Sequence, residues 1–260
     1  MTILDELAAY AKKRVAEAEA RLPLALLKEQ AGNLPKGTFA FEKALSKEGL
    51  SFICEVKKAS PSKGLIAPNF PYLEIARDYC EAGADCLSVL TEPKWVLGSD
   101  EYLKEIANTV ALPCLRKDFF VSEYMLYEAK ILGASAALLI CSLLSEKELE
   151  NYFAVCEELG LTALFEIHDA TEAKKALRAG ARVIGVNNRN LKDFSVDCQN
   201  SQRLRDLIPE GVIFVSESGV KNAEDVANLR ALGCDAVLVG ETLMRAPDKK
   251  AKLIELKGKL

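Results

Sequence analysis

An α/β barrel of eight strand–helix units is the fold class this sequence predicts, and three observations predict it. After an N-terminal stretch of helical periodicity, short apolar runs alternate with amphipathic segments along the chain. Four junctions, EAGADCLSVL at 81–90, LGASAALLI at 132–140, AGARVIGV at 179–186 and LGCDAVLVG at 232–240, put Gly just past a helix and then launch a strand. Their glycines, Gly83, Gly133, Gly180 and Gly233, lie 50, 47 and 53 residues apart. That is two units of about 25 residues per interval, as parallel strands joined by crossover helices require. Near-continuous apolar strands, with no GxGxxG after the first of them, favour a closed (β/α)8 TIM barrel over an open dinucleotide-binding sheet.

The elements follow in order. Residues 2–20 read as a helix, with Ile3, Leu4, Leu7, Ala8, Ala11, Val15 and Ala18 near a 3.6-residue period. Leu22 to Leu27 is expected to add a turn before Gly32, and the segment 33–49 holds Pro35, Gly37 and a short helical FEKAL. Residues 1–48 are therefore an N-terminal helical extension, and 49–260 carry the eight βα units of a single domain. Strands are expected at 52–57, 85–90, 113–117, 136–141, 162–166, 182–187, 212–216 and 235–239. Helices are expected near 69–82, 99–109, 122–132, 145–159, 170–179, 200–208 and 222–232, with a last one past 241. The C-terminal KKAKLIELKGKL reads as a solvated amphipathic helix that closes the barrel.

Composition narrows the chemistry. With 260 residues the chain suits one large barrel, and 50% hydrophobic with 28% charged residues is ordinary for a folded protein. A net charge of -4 gives no reason to expect nucleic acid or an anionic membrane surface. No apolar run approaches the roughly 18–20 residues of a membrane span, and MTILDELAAYAKKR does not resemble a signal peptide. Eight cysteines form no CxxC pair, and Cys54, Cys86, Cys114 and Cys141 sit inside apolar runs. Buried reduced thiols in a cytoplasmic protein are the expectation. His168 is the only histidine, which leaves carboxylates, lysines and backbone groups for catalysis.

In such barrels the active site forms at the C-terminal ends of the strands. The first strand ends in Glu55 and Lys57, in phase with Ile53; the third in Lys117, in phase with Leu115; the fifth in Glu166, in phase with Leu164. The sixth gives Asn187, in phase with Val183 and Gly185, with Arg189 beyond. The seventh gives Glu217, in phase with Ile213 and Val215. Three carboxylates and two lysines in one mouth suit proton transfer, because neighbouring charges and burial tune each pKa. No metal or cofactor is required. SESGV at 216–220 and LVGETL at 238–243 each put Gly between a strand and a helical start, a device that binds phosphate after strands seven and eight. Ser60, Lys57 and Arg189 supply partners on the same rim. Trp95 and Phe119 are candidates for an aromatic wall, and His168 reads as structural.

These motifs, EVKKASPSKG at 55–64, SVLTEPKWVLGS at 88–99, LRKDF at 115–119, EIHD at 166–169, VNNRNL at 186–191, SESGV and VGETLM at 239–244, closely resemble the indole-3-glycerol phosphate synthase family. The resemblance covers essentially the whole chain, extension included. It implies closure of a pyrrole ring in 1-(2-carboxyphenylamino)-1-deoxyribulose 5-phosphate, with loss of carbon dioxide and water. It implies Lys117 as the general acid on the ketone and Glu166 in the acid–base steps of dehydration. Lys57 would pair with the anthranilate carboxylate and serve as a second acid, with Glu55 orienting it. Asn187, Glu217 and Ser218 would hold polar groups of the substrate, and Ser60, Arg189, Gly219 and Gly240 its phosphate. The sharing of proton transfers among the carboxylates stays open at this level.

The sequence departs from the pattern at two places. Val96 stands where an aromatic is expected against the anthranilate ring, so Trp95 or Phe119 is expected to compensate. Glu241 follows Gly240 where some members have a hydroxyl, leaving backbone groups to hold phosphate. The implied partner is a phosphorylated small molecule; a monomer is open, and other tryptophan-pathway enzymes would be separate chains. The alternatives are phosphoribosylanthranilate isomerase, which is shorter, lacks the extension and uses a cysteine/aspartate pair, and a non-catalytic phosphate-binding barrel, which should have lost a rim residue.

Overall fold

The computed structural model describes residues 3–190 and 194–258. Residue 1, residue 2 of the first expected helix, Leu191 of the VNNRNL motif, and residues 259 and 260 lie outside the described residues.

Eight parallel strands close into a barrel: Ser51–Val56, Cys86–Leu90, Cys114–Lys117, Ala136–Ile140, Thr162–Ile167, Val183–Asn187, Ile213–Glu217 and Ala236–Val239. Each pairs with the next in sequence, and the eighth returns to the first, with Ile53 beside both Leu238 and Cys86. Five of the eight are buried along their whole length, as the continuous apolar runs require. Gly83, Gly133, Gly180 and Gly233 all have φ between 80° and 92°, the left-handed turn expected after each helix. The junctions also set register: Asp85 and Asp235 accept hydrogen bonds from the backbone N–H of Phe52 (2.8 Å) and Phe214 (2.7 Å) on neighbouring strands.

Three helices precede the barrel: α1 (Ile3–Arg21), α2 (Leu24–Gly32) and α3 (Ala40–Leu45). Pro23 caps the start of the second helix, so Leu22 and Pro23 form the break between two helices and Leu24–Leu27 opens the second rather than adding a turn to the first. α3 plugs the N-terminal end of the barrel. Its Phe41 and Leu45 are fully buried, and its Glu42 N–H donates to Thr162 Oγ1 at 3.1 Å. With the bottom closed, only the C-terminal face is left open to a ligand.

The outer layer follows the expected order: α4 (Tyr72–Glu81), α5 (Asp100–Thr109), α6 (Tyr124–Ile131), α7 (Glu146–Leu159), α8 (Ala170–Arg178), α9 (Gln199–Arg205) and α10 (Ala223–Ala231). Capping fixes several starts: Ser145 with Glu148 and Asn222 with Asp225 form reciprocal boxes, and Asp169 receives two backbone N–H groups of α8. Past Gly240 there are two helices where one was expected, α11 (Glu241–Arg245) and α12 (Lys249–Lys257), separated by Pro247. α12 buries Leu253 and Leu256 and packs against α4. The turn at Ser60-Pro61 is the tip of a small hairpin, Ala59–Ser60 paired with Gly64–Leu65. All eight cysteines are free, and six are buried.

Candidate active site

The C-terminal face opens into one cavity of about 660 Å³. All thirteen residues picked from the sequence line it: Glu55, Lys57, Ser60, Lys117, Phe119, Glu166, Asn187, Arg189, Glu217, Ser218, Gly219, Gly240 and Glu241. Strand alternation brings Glu55, Lys117, Glu166, Asn187 and Glu217 inward. Ladder register then sets who stands beside whom: Glu166 lies opposite Gly185, and Asn187 opposite Glu217.

Lys117 is the centre of the arrangement. Its ammonium donates to Glu166 Oε2 at 2.8 Å and to Glu217 Oε2 at 3.1 Å. Burial works against its charge, but Glu166, Glu217 and Glu55 outweigh that and push its pKa up. Glu166 is buried too, yet Lys117 and His168 hold its carboxyl below the ordinary range. Glu217 differs: burial dominates, Lys117 only partly opposes it, Glu166 adds to it, and its pKa is pushed up to about 7. Two carboxylates on one ammonium thus have opposite tendencies, the condition for one to stay ionised while the other carries a proton. Glu217 Oε1 is buried with no hydrogen-bond partner among the described residues. Glu55 is engaged elsewhere, pairing with Lys57 at the exit of its own strand.

Two glycines make room for these carboxylates. A Cβ at position 185 would collide with Glu217 Oε1, and one at position 240 with Glu55 Oε1 and Lys57 Nζ. Gly185→Ala should therefore push Glu217 off Lys117 with little harm to the fold, since the group displaced is the end of a flexible side chain. We expect a loss of kcat/KM of about tenfold or more with the melting temperature nearly unchanged; an unaltered kcat/KM would show that Glu217 does not need its place.

Around this cluster, Asn187 Oδ1 accepts from the Ser218 hydroxyl and the Arg189 N–H, both at 3.0 Å. Ser218 takes a positive φ of 66° ahead of Gly219, whose own φ is 99°. Arg189 Nη2 lies 3.7 Å from Glu241 Oε2, while Glu241 Oε1 meets Arg245 at 3.0 Å and Lys63 at 4.0 Å. Glu241, considered in the sequence only for its backbone, thus also points its carboxylate at three cations of the rim. The opposite wall is apolar: Phe119, Val96, Leu90, Leu138 and Ile140, roofed by Ile3, Leu4 and Leu7 of α1. Trp95 does not line the cavity. Its ring stands edge-on to Tyr10 at 5.5 Å, because Glu92 accepts the N–H groups of Lys94, Trp95 and Val96 and turns that loop outward.

Several residues of the site were not picked from the sequence. Asn188, on the face opposite Asn187, donates to Ser216 Oγ and the Ser218 carbonyl, both at 3.1 Å, and accepts from Ser201. The asparagine pair in VNNRN was the available signal. Asp118, next to Lys117, takes both arms of Arg14 from α1 at 2.6 and 3.1 Å and the Thr91 hydroxyl at 2.7 Å. Nothing in the sequence links positions 104 residues apart.

Comparison with known proteins agrees with this geometry. The family model described as indole-3-glycerol phosphate synthase matches residues 4–256. This chain belongs to the indole-3-glycerol phosphate synthase family. It is 52% identical over 257 residues to the indole-3-glycerol phosphate synthase of Ruminiclostridium cellulolyticum, covering 98% of this chain and 99% of that one. The relative from Lachnoclostridium phytofermentans is 44% identical over 270 residues, with 99% and 100% covered. Among solved structures, 3-hexulose-6-phosphate synthase from Salmonella typhimurium superposes with a TM-score of 0.66 at 12% identity, over 80% of this chain and 96% of that one, a likeness of fold alone. As a family member the chain is an enzyme, a carbon–carbon lyase of tryptophan biosynthesis. It closes, decarboxylates and dehydrates 1-(2-carboxyphenylamino)-1-deoxyribulose 5-phosphate to indole-3-glycerol phosphate. No helix among the described residues is long and apolar enough to cross a membrane.

Proposed function

We propose that the reaction runs by lysine and glutamate acid–base catalysis within one domain, the extension 1–48 roofing a barrel formed by 49–260. The observation that carries this reading is Lys117 held between two buried carboxylates in the cavity. An ammonium so paired stays protonated, the state a donor to the substrate ketone needs while the ring carbon attacks. Glu166, adjacent to it, serves the acid–base steps of dehydration. Lys57, oriented by Glu55, pairs with the anthranilate carboxylate and is the second acid. The apolar wall with Phe119 takes the anthranilate ring. Asn187, Glu217 and Ser218 hold the hydroxyls and ketone of the ribulose chain.

The phosphate goes to the far rim, against Ser60, Arg189, Gly219 and Gly240. The cations that face Glu241 there support this reading, since an anion with more charge and more acceptor oxygens competes for them well. Arg189→Met should raise KM about tenfold with kcat little changed, because phosphate binding is made equally in ground and transition states. A fall in kcat at constant KM would move Arg189 from binding to chemistry. The reaction itself is tested by mixing the protein with the carboxyphenylamino-deoxyribulose phosphate and following the rise of indole fluorescence. Absence of both turnover and binding would overturn the reading of this cavity.

A further inference from the structure

The lone histidine occupies a position that the roles above do not use. His168 follows the fifth strand, two residues beyond Glu166. Its Nδ1 lies 3.1 Å from Glu172 Oε2 on α8, and the same oxygen accepts the His168 backbone N–H at 2.8 Å. That double contact sets the resting orientation of the ring. Its Nε2 then faces Glu166 Oε1 at 3.5 Å and is buried with no hydrogen-bond partner among the described residues. His168 does not line the substrate cavity. It lines a second one of about 440 Å³, whose wall includes the polar residues Glu172, Asp197, Asn200 and Arg203. Leu4, Asn187 and Arg189 line both cavities and form the partition between them.

The stoichiometry of the reaction gives this arrangement a task. Two protons go onto the ketone oxygen, which leaves as water, and one comes off the methylene carbon beside the nitrogen. The carboxylate leaves as carbon dioxide, its bonding electron pair staying with the ring. The balance is one proton taken up per turnover wherever the substrate carboxylate is ionised. Substrate seated in the first cavity stands between bulk water and the Lys117 cluster, so a second entry for that proton matters.

We propose that His168 is a positioning residue that aligns Glu166 and returns a proton to it from the second cavity while substrate covers the first. This rests on the reading of Glu166 as an acid–base group. The proton leaves His168 Nε2 for Glu166 Oε1, leaving Nδ1–H on Glu172, and Nε2 takes its replacement from water of the second cavity when the ring turns out of that bond. The charged groups facing the ring are Glu166 on the fifth strand, Glu172 on α8 and Glu217 on the seventh, with Asp169, Arg189, Asp197 and Arg203 around the second cavity. Burial opposes a charge on the ring, but the bond to Glu172 and the nearness of Glu166 outweigh it and raise its pKa, which favours the charged ring that has a proton to hand over.

The test is His168→Asn, which keeps a polar side chain but carries no titratable proton, measured as kcat and KM from about pH 5.5 to about pH 9, which brackets the ordinary histidine pKa of about 6.5, with and without added imidazole. The expected result is a kcat lowered about tenfold with KM unchanged. The parent's decline in kcat as His168 deprotonates should disappear, and imidazole should restore much of the loss. Glu172→Gln, which loosens the ring without removing it, should give a smaller fall in kcat and keep the pH limb. A kcat and pH profile equal to the parent's in His168→Asn would overturn the proposal. So would a loss that imidazole does not restore and that tracks a lowered melting temperature. Glu166→Gln is run beside it: full activity there would overturn the role of Glu166 itself, whereas its loss with an unaffected His168→Asn overturns the relay alone.

Discussion

Lys117→Ala should lower kcat by about 10²–10⁴-fold, the usual contribution of a positioned general acid. The argument begins from the ion pairs. Lys117 is the ammonium that meets both Glu166 and Glu217, and Lys57 is taken up by Glu55. On the acid–base reading proposed above, removing it deletes the proton donor; it also leaves two buried carboxylates facing each other without their counter-ion. Both then rise in pKa, as like charges in low dielectric must, so the acid–base work of Glu166 is detuned as well. Lys117→Arg separates the two effects. A guanidinium keeps a positive charge beside both carboxylates but does not release a proton at any working pH. We expect nearly the same fall in kcat with KM closer to the parent's, read from indole fluorescence. If Lys117→Arg instead recovers most of the activity, charge rather than proton donation is what this position supplies.

Arg116→Met should destabilise the folded state by about 3–5 kcal/mol, the cost of removing one partner from a buried ion-pair network. Arg116 follows the same strand as Lys117 but points outward between barrel and helices, where it is 1% exposed. It donates to Asp100 at 2.8 Å, Glu128 at 3.2 Å and the Met125 carbonyl at 3.0 Å, and lies 4.0 Å from Asp118. Methionine fills the volume and answers none of these acceptors. The acid side should change too. Burial pushes the Asp118 carboxyl up, but Arg14 and Arg116 outweigh it and hold it below the ordinary range. A carboxyl so lowered stabilises the fold above its unfolded pKa of about 3.9, and that stability is lost as pH falls through the folded value. With Arg116 gone the folded value rises, so the acid-unfolding midpoint should move to higher pH. Denaturant titrations at pH 7 and along an acid series measure both. A variant as stable as the parent at every pH would mean that Arg14 alone compensates Asp118.

Much of the site could be read from residue order because the barrel turns sequence position into spatial position by a simple rule. Strand residues alternate in and out, and the last inward residue of each strand stands on the rim. Glu55, Lys117, Glu166, Asn187 and Glu217 obey that rule, and the glycines after helices mark where four of the strands begin. Trp95 does not: it sits in a loop, where alternation has no force and the Glu92 carboxylate sets the course of the backbone. His168 lies just beyond a strand end, and its use depends on Glu172, one helical turn into the next element.

By itself, then, the sequence determined the barrel, the helical extension, the set of charged and polar rim residues and the face they occupy, since periodicity and chain direction are local properties. The pairing within that set was decided only by tertiary structure. Lys117 takes Glu166 and Glu217, Lys57 takes Glu55, and Arg14 reaches Asp118 from a helix far away in the chain. Those partners follow from the stagger of closed strands, from the space that Gly185 and Gly240 leave for a carboxylate, and from how α1 lies across the mouth. Opposite tendencies in two neighbouring glutamates arise the same way, because burial and the distance to one ammonium are properties of the packed barrel and not of either residue.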